Sequence, residues 1–570
     1  MGGRDLQQPG PGTTAFPVRN AGPGPDAKFP PVSPLASTHT GRWQALGAIV
    51  LSSLVLGLDT TIVVTALPTL SAKLGATTDQ LQWISAGYTL ALAGFMIPAG
   101  VLADRLGRRR MLLVALCLFG ASSVAASQMT TANGLVLMRA LMGIAGAFIF
   151  PISLAILPTI FSERERPRAI AIGGAGMFLG LPLGPLVAGW LLTHYDWGSI
   201  FLINGPVVLL ALLGARIFIP ESRDSHAPRL DVVGAALVVA GVTGLVYGII
   251  EQPALGWSNS TVIASLVAGA ILLAGFTVWE LRVRSPLVDL RLFLNPRFTW
   301  SVLVGMIMGF ALLGVLFVFT PFLQIVQGND AQATGVRLLP LIGGIVLGAV
   351  GSDRLVARLG VRVMLVLGLL ICAVGMTLLS FVRADTGYSL IAVALPVIGV
   401  GNAFAMFTSL NIILSILPEA QTGAGSALTR TLQQLAASFG VAILGSILSN
   451  SYRAKLAEHL IGLPDRVRDV AEGSVAGAAL IASHMPAPVG MNLLNAAHVA
   501  YAIGMTDVLR VSAVVMVGGA VLIGTFMPVR TKEAGSRSKR PNVRMRRWLV
   551  RNGPAGFNWW PRSAGSEPPS

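Results

Sequence analysis

Charge is scarce in this chain. Asp, Glu, Lys and Arg make up 12% of its 570 residues, where a soluble protein keeps about a quarter. That shortage excludes an ordinary soluble fold. Cysteine is scarcer still: the two present, Cys117 and Cys372, both fall inside apolar runs. Neither has a ligand-type neighbour at metal-binding spacing, so both read as small packing residues, not as a disulfide or a metal site. No G-x-x-x-x-G-K-[ST] loop is present, which excludes ATP as the direct energy source. No H-x-x-x-H pair or catalytic cluster suggests an enzyme, a metal or a cofactor. The glycines of the leader follow no strand, so they are not phosphate loops. A cleavable signal peptide is missing too: the first 41 residues are rich in Pro and Gly and lack an apolar core.

What the chain has in abundance is apolar sequence, at 54% of residues. A helix needs about 20 mostly apolar residues to cross a bilayer. Fourteen runs qualify, at about 44–66, 82–103, 111–128, 135–157, 168–192, 198–219, 231–250, 261–280, 299–325, 333–351, 362–382, 387–415, 424–449 and 505–528. A barrel would show short alternating segments instead. The fold class is therefore an all-α polytopic membrane protein. Its spans group as 6+2+6: residues 43–220 hold the first six, 221–297 an extra pair and linker, and 298–528 the last six. A loop at about 450–500, mixing charges with "MPAPVG", precedes the final span and has room for short interfacial helices. Residues 1–42 read as a disordered leader and 529–570 as a basic tail.

The net charge of +16 could suggest nucleic acid. Its placement argues for lipid instead. Arg105, Arg108, Arg109 and Arg110 follow span 2; Arg164, Arg166 and Arg168 follow span 4; Arg354, Arg358 and Arg362 follow span 10. The alternate short loops carry almost none, Lys73 and Arg383 apart. The positive-inside rule then puts both termini in the cytoplasm and the 450–500 loop outside. The tail either touches anionic headgroups or stays solvated. Richness in Ala, Gly and Arg fits a GC-rich bacterium, so the expected location is a bacterial plasma membrane.

An internal echo marks a duplication. "LADRLGRRRML" (102–112) follows span 2 and "LVARLGVRVML" (355–365) follows span 10, with Ala357 where Asp104 stands in the first copy. Paired blocks with a site near the midplane are a transporter architecture.

Five stretches carry a family resemblance. "GVLADRLGRRRML" (100–112) is similar to the loop pattern G-x-L-A-D-R-x-G-R-[RK]-x-x-L. "LDTTIVVTALP" (58–68) resembles L-D-x-T-I-V-N-V-A-L-P, with Val64 in the Asn place. "LVLMRALMGIAGA" (135–147) resembles L-x-x-x-R-x-x-Q-G, with Met142 in the Gln place. "GMFLGLPLGPLVAG" (176–189) resembles G-x-x-x-G-P-x-x-G-G, with Ala188 replacing a Gly, and "DWGSIFLINGP" (196–206) resembles D-W-R-W-I-F-x-I-N-x-P, with Gly198 replacing Arg. Together these resemble the major facilitator superfamily, and within it the fourteen-span drug:proton antiporters.

The resemblance implies roles. Gly100, Asp104, Arg105, Gly107 and Arg108 would form a cytoplasmic gate. Its glycines would allow close approach and a sharp turn, and Asp104 would meet nearby Arg side chains and a helix N-terminus. A topology-setting charged loop is the alternative. Gly180, Gly184, Pro185 and Gly189 would form the motif that marks exporters, or else a Gly/Pro packing helix. Asp59 is a carboxylate in a run that otherwise reads as apolar, and Arg139 is a buried arginine; an intramembrane charge asks for a partner. Counted from the span ends, Asp59 lies about 10 Å and Arg139 about 6 Å inside the outer boundary, at 1.5 Å per residue, so each is in reach of the other. Burial disfavours the charge on such a carboxylate and a neighbouring Arg favours it. Asp59 with Arg139 is then either a proton-coupling pair or a static ion pair, which would be a weak stabiliser for its desolvation cost.

Elsewhere the reading is plainer. Arg430 in "LTRTLQQLAASFG" (428–440) reads as structural, and Glu251, Glu280 and Asp507 as span-end groups reaching water. "GMIMGF" (305–310) and "GNAFAMFTSLN" (401–411) supply Met and aromatic groups of the kind that repack around varied ligands, or that simply pack. The expected partners are a small amphipathic, cationic molecule, protons and the lipid bilayer, with no nucleic acid, and the expected state is a monomer. The expected activity is proton-coupled export by alternating access. The alternatives are a same-fold exporter of an endogenous lipid, siderophore or metabolite, and a non-transporting sensor or scaffold.

Overall fold

The computed structural model describes residues 41–162, 165–223, 231–283, 290–416, 422–461 and 463–528. The leader, the basic tail and Arg164 lie outside the described residues. All the regular structure described is helical. The first six spans are α1 (Arg42–Leu74), α2 (Thr78–Leu106), α3 (Arg108–Ser127), α4 (Ala132–Ile160), α5 (Arg166–His194) and the pair α6 (Ser199–Leu202) and α7 (Asn204–Phe218). The extra pair is α8 (Val232–Leu255) and α9 (Ser260–Glu280). The last six are α10 (Pro296–Pro321), α11 (Ala331–Arg337) with α12 (Leu339–Leu359), α13 (Val361–Leu379), α14 (Tyr388–Ile416), α15 (Thr422–Leu456) and, after the short α16 (Asp465–Gly473) and α17 (Val475–Ser483), α18 (Ala487–Phe526). Among the described residues thirteen helical segments are long and apolar enough to cross a bilayer. With α5, 29 residues long, the long helices match the fourteen runs read in the sequence.

Local chemistry sets the helix ends. Thr131, Asp231, Asn259, Asn295, Asp330 and Ser474 each accept a backbone N–H of the first turn that follows, which satisfies donors that have no partner inside the helix. Span 6 is broken at Ile203, between α6 and α7. Gly205 and Pro206 stand just beyond, and a proline's missing N–H is tolerated in a first turn. The break leaves Asn204 as the first residue of α7.

Two of the expected outlines change. The 450–500 loop is mostly helix: α15 continues to Leu456 and α18 begins at Ala487, where Leu493, Ala497, Ala500, Tyr501 and Gly504 form a buried stripe at helical spacing. The expected span ends were also too short. Asp59 lies 15 residues before Leu74 and 17 after Arg42, so it sits near the middle of α1, about 22 Å from the nearer end at 1.5 Å per residue, rather than close to the outer boundary. Polar residues such as Ser71 and Lys73 hid the last two turns of α1 from a hydropathy reading.

The tightest packing joins α1 to α5. A methyl group at Gly57 would run into the Met177 carbonyl, and one at Gly176 would lie 2.5 Å from the Val50 carbonyl oxygen. At Gly180 it would lie 2.5 Å from both the Leu54 oxygen and the Leu58 nitrogen, and at Gly184 2.9 Å from the Ile62 nitrogen. Glycines at i, i+4 and i+8 therefore let two backbones touch, which is how helices gain contact where the lipid offers no hydrophobic drive. Gly174, on the same helix, meets nothing within 4 Å. Gly180→Val is expected to lower stability by about 1–3 kcal/mol, the usual cost of overpacking, while Gly174→Ala leaves it level or slightly higher. Thermal unfolding of the purified protein in detergent checks both.

Candidate functional site

The two ends of the bundle are chemically distinct. One carries the arginines of 105–110 and is called here the basic end. The other carries the α16–α17 insert and is called the insert end.

Near the middle of the first six spans lies a buried charge pair. Asp59 on α1 is fully buried and Arg139 on α4 is 1% exposed. Arg139 Nη1 donates to Asp59 Oδ2 at 2.5 Å, and Arg139 Nε donates to the Ile84 carbonyl of α2 at 3.2 Å. The guanidinium lies over the Tyr88 ring, 4.1 Å from its centroid, an arrangement that favours a cation away from water. On the other side of the carboxylate, Asn204 Nδ2 donates to Asp59 Oδ1 at 3.3 Å and to Ser123 Oγ at 3.1 Å. Ser123 passes its own proton to the Phe201 carbonyl at 2.8 Å. Thus α1, α4 and α7 meet at one carboxylate, while α2 and α3 hold its two partners. The pairing of Asp59 with Arg139 was legible in the sequence. Tyr88, Ser123 and Asn204 were not singled out, although Asn204 stands in "LINGP" at a Gly-Pro break, and a polar residue at a span break is a usable signal.

The loop cluster is arranged differently from the expectation. Arg108 Nε donates to Asp104 Oδ1 at 2.7 Å and its Nη1 reaches the Ala155 carbonyl of α4 at 3.3 Å. The N-terminus of α3 is met by Glu221, not by Asp104. Glu221 accepts from the backbone N–H of Arg109 at 3.1 Å and of Arg110 at 3.3 Å, where a helix offers free donors and a positive dipole end. Gly107 adopts φ +114°, and a methyl group there would lie 2.7 Å from Glu221 Oε1, so this position needs glycine. At Gly100 a methyl group would meet nothing within 4 Å, and the close approach expected there is not made. Arg105 is exposed. The partners found for Asp104, Arg108, Arg109 and Arg110 all belong to the first six spans or to the segment just after α7.

The glycine motif of α5 faces two ways. Gly180 and Gly184 hold α1, as described. Gly189 instead abuts α11, 2.6 Å from a methyl position to the Ala331 carbonyl oxygen, and Gly335 of α11 abuts the Pro185 carbonyl. The motif therefore joins the first and last six spans at the insert end.

Other contacts close that same end. Thr89 donates to Ser438 at 3.2 Å and Ser438 to the Ala86 carbonyl at 2.9 Å, tying α2 to α15. Gln82 is 1% exposed, presses against Gly445, and has no hydrogen-bond partner among the described residues. Gln324, just past α10, donates to the Thr65 carbonyl of α1 at 2.7 Å. The α16–α17 insert reaches over the top: Thr78 donates to the Gly473 carbonyl at 2.8 Å, and Ser71 and Ser474 share a hydrogen bond at 3.1 Å. The extra pair joins in through α8, which packs on both α2 and α15. Trp83 donates to Glu251 at 3.2 Å, Ser446 to the Ile249 carbonyl at 2.7 Å, and Asn450 to Gln252 at 2.9 Å. Nearer the basic end the halves meet through Arg430, 5.6 Å over the Phe150 ring, and through Ile97 against Phe298, Val302, Ile413 and Leu428.

Several plainer readings also need correction. Glu280 is 4% exposed and does not reach water. Glu251 and Asp507 are half-buried, as span-end groups that reach water can be, and they also accept from Trp83 and Ser451. Cys117 is exposed on α3, so it is not a packing residue; Cys372 is buried. Met308 and Asn402, from the Met-rich and aromatic stretches, pack on each other at 3.7 Å.

A bundle of long apolar helices with a buried charge pair and duplicated loops is a membrane transporter. The family model of the Major Facilitator Superfamily matches residues 49–441, and the chain belongs to that superfamily, among its drug exporters. It is 33% identical over 417 residues to the tetracenomycin C resistance and export protein of Streptomyces glaucescens, covering 73% of this chain and 78% of the relative. It is 31% identical over 466 residues to the multidrug efflux pump LfrA of Mycolicibacterium smegmatis, covering 81% and 92%. The fold is similar to that of a bacterial homologue of the human lysosomal transporter Spinster, with TM-score 0.59 at 17% identity, covering 85% of this chain and 96% of that one.

The closure at the insert end has a direct test. Gln252→Cys with Asn450→Cys, in a background lacking Cys117 and Cys372, is expected to lose transport when joined by a short thiol cross-linker and to regain it on reduction. Full transport by the joined protein would show that α8 and α15 need not part.

Proposed function

We propose that this protein is a proton-coupled exporter of amphipathic cationic compounds that works by alternating access. The observation that carries the reading is the placement of the charge pair on a helix that also forms the closure. One turn of α2 gives Arg139 its Ile84 carbonyl and its Tyr88 ring, and the same turn meets Ser438 through Ala86 and Thr89. A change in the charge of Asp59 alters what Arg139 must satisfy, and Arg139 leans on the segment that seals the insert end. That is the contiguity an antiporter needs, since proton and cargo must each bias the same two-state element.

Asp59 is the proton carrier in this reading. Its carboxylate loses its charge when it binds a proton and holds Arg139 when it does not. A static pair would stabilise little for its desolvation cost, and an apolar pair of equal volume would serve a scaffold as well. The positive-inside arrangement of the arginines supports a basic end and termini in the cytoplasm of a bacterial plasma membrane, with the closed insert end facing outward. The names of the two relatives, an antibiotic exporter and a multidrug pump, support a small-molecule cargo moved outward. The site-bearing spans group into two six-helix units around the extra pair, with the glycine motif of α5 as the hinge seam between them. In this reading the protein acts as a monomer, because one chain holds both six-span halves and the complete charge site.

The test is transport of a lipophilic cationic dye in energised cells. The parent is expected to expel the dye in an uncoupler-sensitive manner, and Asp59→Asn to lose at least tenfold of that rate, the size of one lost charge-assisted interaction, while still reaching the membrane. Full uncoupler-sensitive efflux by Asp59→Asn would show that the carrier is another group. A parent that moves no cationic dye would favour an endogenous cargo.

A further inference from the structure

Asn204 is one of the most completely buried polar side chains in the first six spans, at 1% exposure. A primary amide has two donor hydrogens and an acceptor oxygen. Both donors are used: one meets Asp59 Oδ1 and the other Ser123 Oγ. The acceptor Oδ1 is buried and meets no partner among the described residues. A buried acceptor left without a donor is costly, so such groups ask for an explanation.

The neighbour that can supply the missing donor is Asp59 itself, once protonated. A half-turn of the Asn204 amide about its terminal bond puts Oδ1 where Nδ2 stands, facing both Asp59 and Ser123. A carboxylic acid at Asp59 then donates its O–H to that oxygen. Ser123, which now donates to the Phe201 carbonyl, must turn its hydroxyl to the amide oxygen, because two oxygens would otherwise face each other with no hydrogen between them. The turn also carries Nδ2 to the place Oδ1 now holds, where no hydrogen-bond partner lies among the described residues, so the turned amide is held only while a protonated Asp59 and the Ser123 hydroxyl donate to its oxygen. The other charged or titratable side chains facing Asp59 are Arg139 from α4 and Tyr88 from α2. From α5 the approach to α1 is made by glycines. Arg139 donates only, so it can stabilise the carboxylate and cannot accept a proton from the acid. Asn204 is the amide that can answer to both forms.

We infer that Asn204 is the positioning residue that reads the protonation state of Asp59: it donates to the carboxylate and, by turning its amide, accepts from the carboxylic acid. This rests on Asp59 being the proton carrier. It also gives the α6–α7 break a purpose. The break places an amide rather than a continuous helix face beside Asp59, and α7 packs on both α1 and α3, so a turned amide is felt by three helices.

The experiment uses purified full-length protein in lipid vesicles. The infrared difference spectrum between acid and alkaline pH reports the C=O band of a protonated carboxyl group, and the band that disappears in Asp59→Asn belongs to Asp59. Asn204→Leu, close in size but unable to donate or accept, is expected to move that band to higher frequency, because its O–H has lost its acceptor. It is also expected to lower the ratio of proton-driven transport to cargo exchange about tenfold, the size of one buried hydrogen bond to a charged group. Where Asn204→Leu does not accumulate, Asn204→Ala removes the same two groups and reads the same way. An unmoved Asp59 band with an unchanged ratio in a folded variant overturns the role of Asn204 and leaves the proton role of Asp59 standing. If Asp59→Asn removes no band and keeps proton-driven transport, it is the proton role itself that fails.

Discussion

A carboxylate in the middle of a lipid-embedded bundle cannot remain charged without a cation and a set of donors, because an unpaired buried charge is among the most costly groups a fold can hold. Much else in the first six spans is arranged around that requirement. Arg139 supplies the charge and Asn204 a second donor. The Tyr88 ring and the Ile84 carbonyl hold the guanidinium. Beside this site α1 lies against α5 with almost no side chain between them, through Gly176, Gly180 and Gly184. The α6–α7 break delivers the amide. These features come from residues far apart in the chain, 80 positions for Arg139 and 145 for Asn204, and they converge on Asp59.

The same geometry ties the charge to the shape of the molecule. The α5 glycine series ends at Gly189 on α11, and the α2 turn that cradles Arg139 continues into hydrogen bonds with α15. Packed interfaces of this kind have discrete arrangements rather than a continuum. The buried amide of Gln82, which has no hydrogen-bond partner among the described residues, lies inside the closed seam, so this arrangement carries a polar cost that water would relieve in the opening proposed above. The α8 helix and the α16–α17 insert add hydrogen bonds from outside the seam, which offset that cost. Closure at this end is thus a balance of small terms, as a two-state element requires.

The fold was readable from hydropathy because a bilayer demands long apolar runs, and little else in a chain produces fourteen of them. The Asp59–Arg139 pair was readable because two charges in apolar spans stand out and each asks for a partner. The polar second partners were harder. Asn204 and Ser123 are short side chains of a kind common in spans, and only the three-dimensional break in span 6 shows where the amide points. Glu221 was hidden for a different reason: its value lies in meeting the start of α3, more than a hundred residues earlier in the chain, a pairing that spacing does not reveal. The depth of Asp59 was misjudged because polar residues at the end of α1 disguise helix as loop.

The central claim is that a proton and the cargo compete through Asp59. It is tested most directly by counting protons when a cationic substrate binds the purified protein in weakly buffered detergent solution, followed with a pH indicator. The account predicts that the parent protein releases protons on binding and that Asp59→Asn binds the same substrate without releasing any. Equal proton release from both proteins, or none from the parent at any pH where substrate binds, would contradict it.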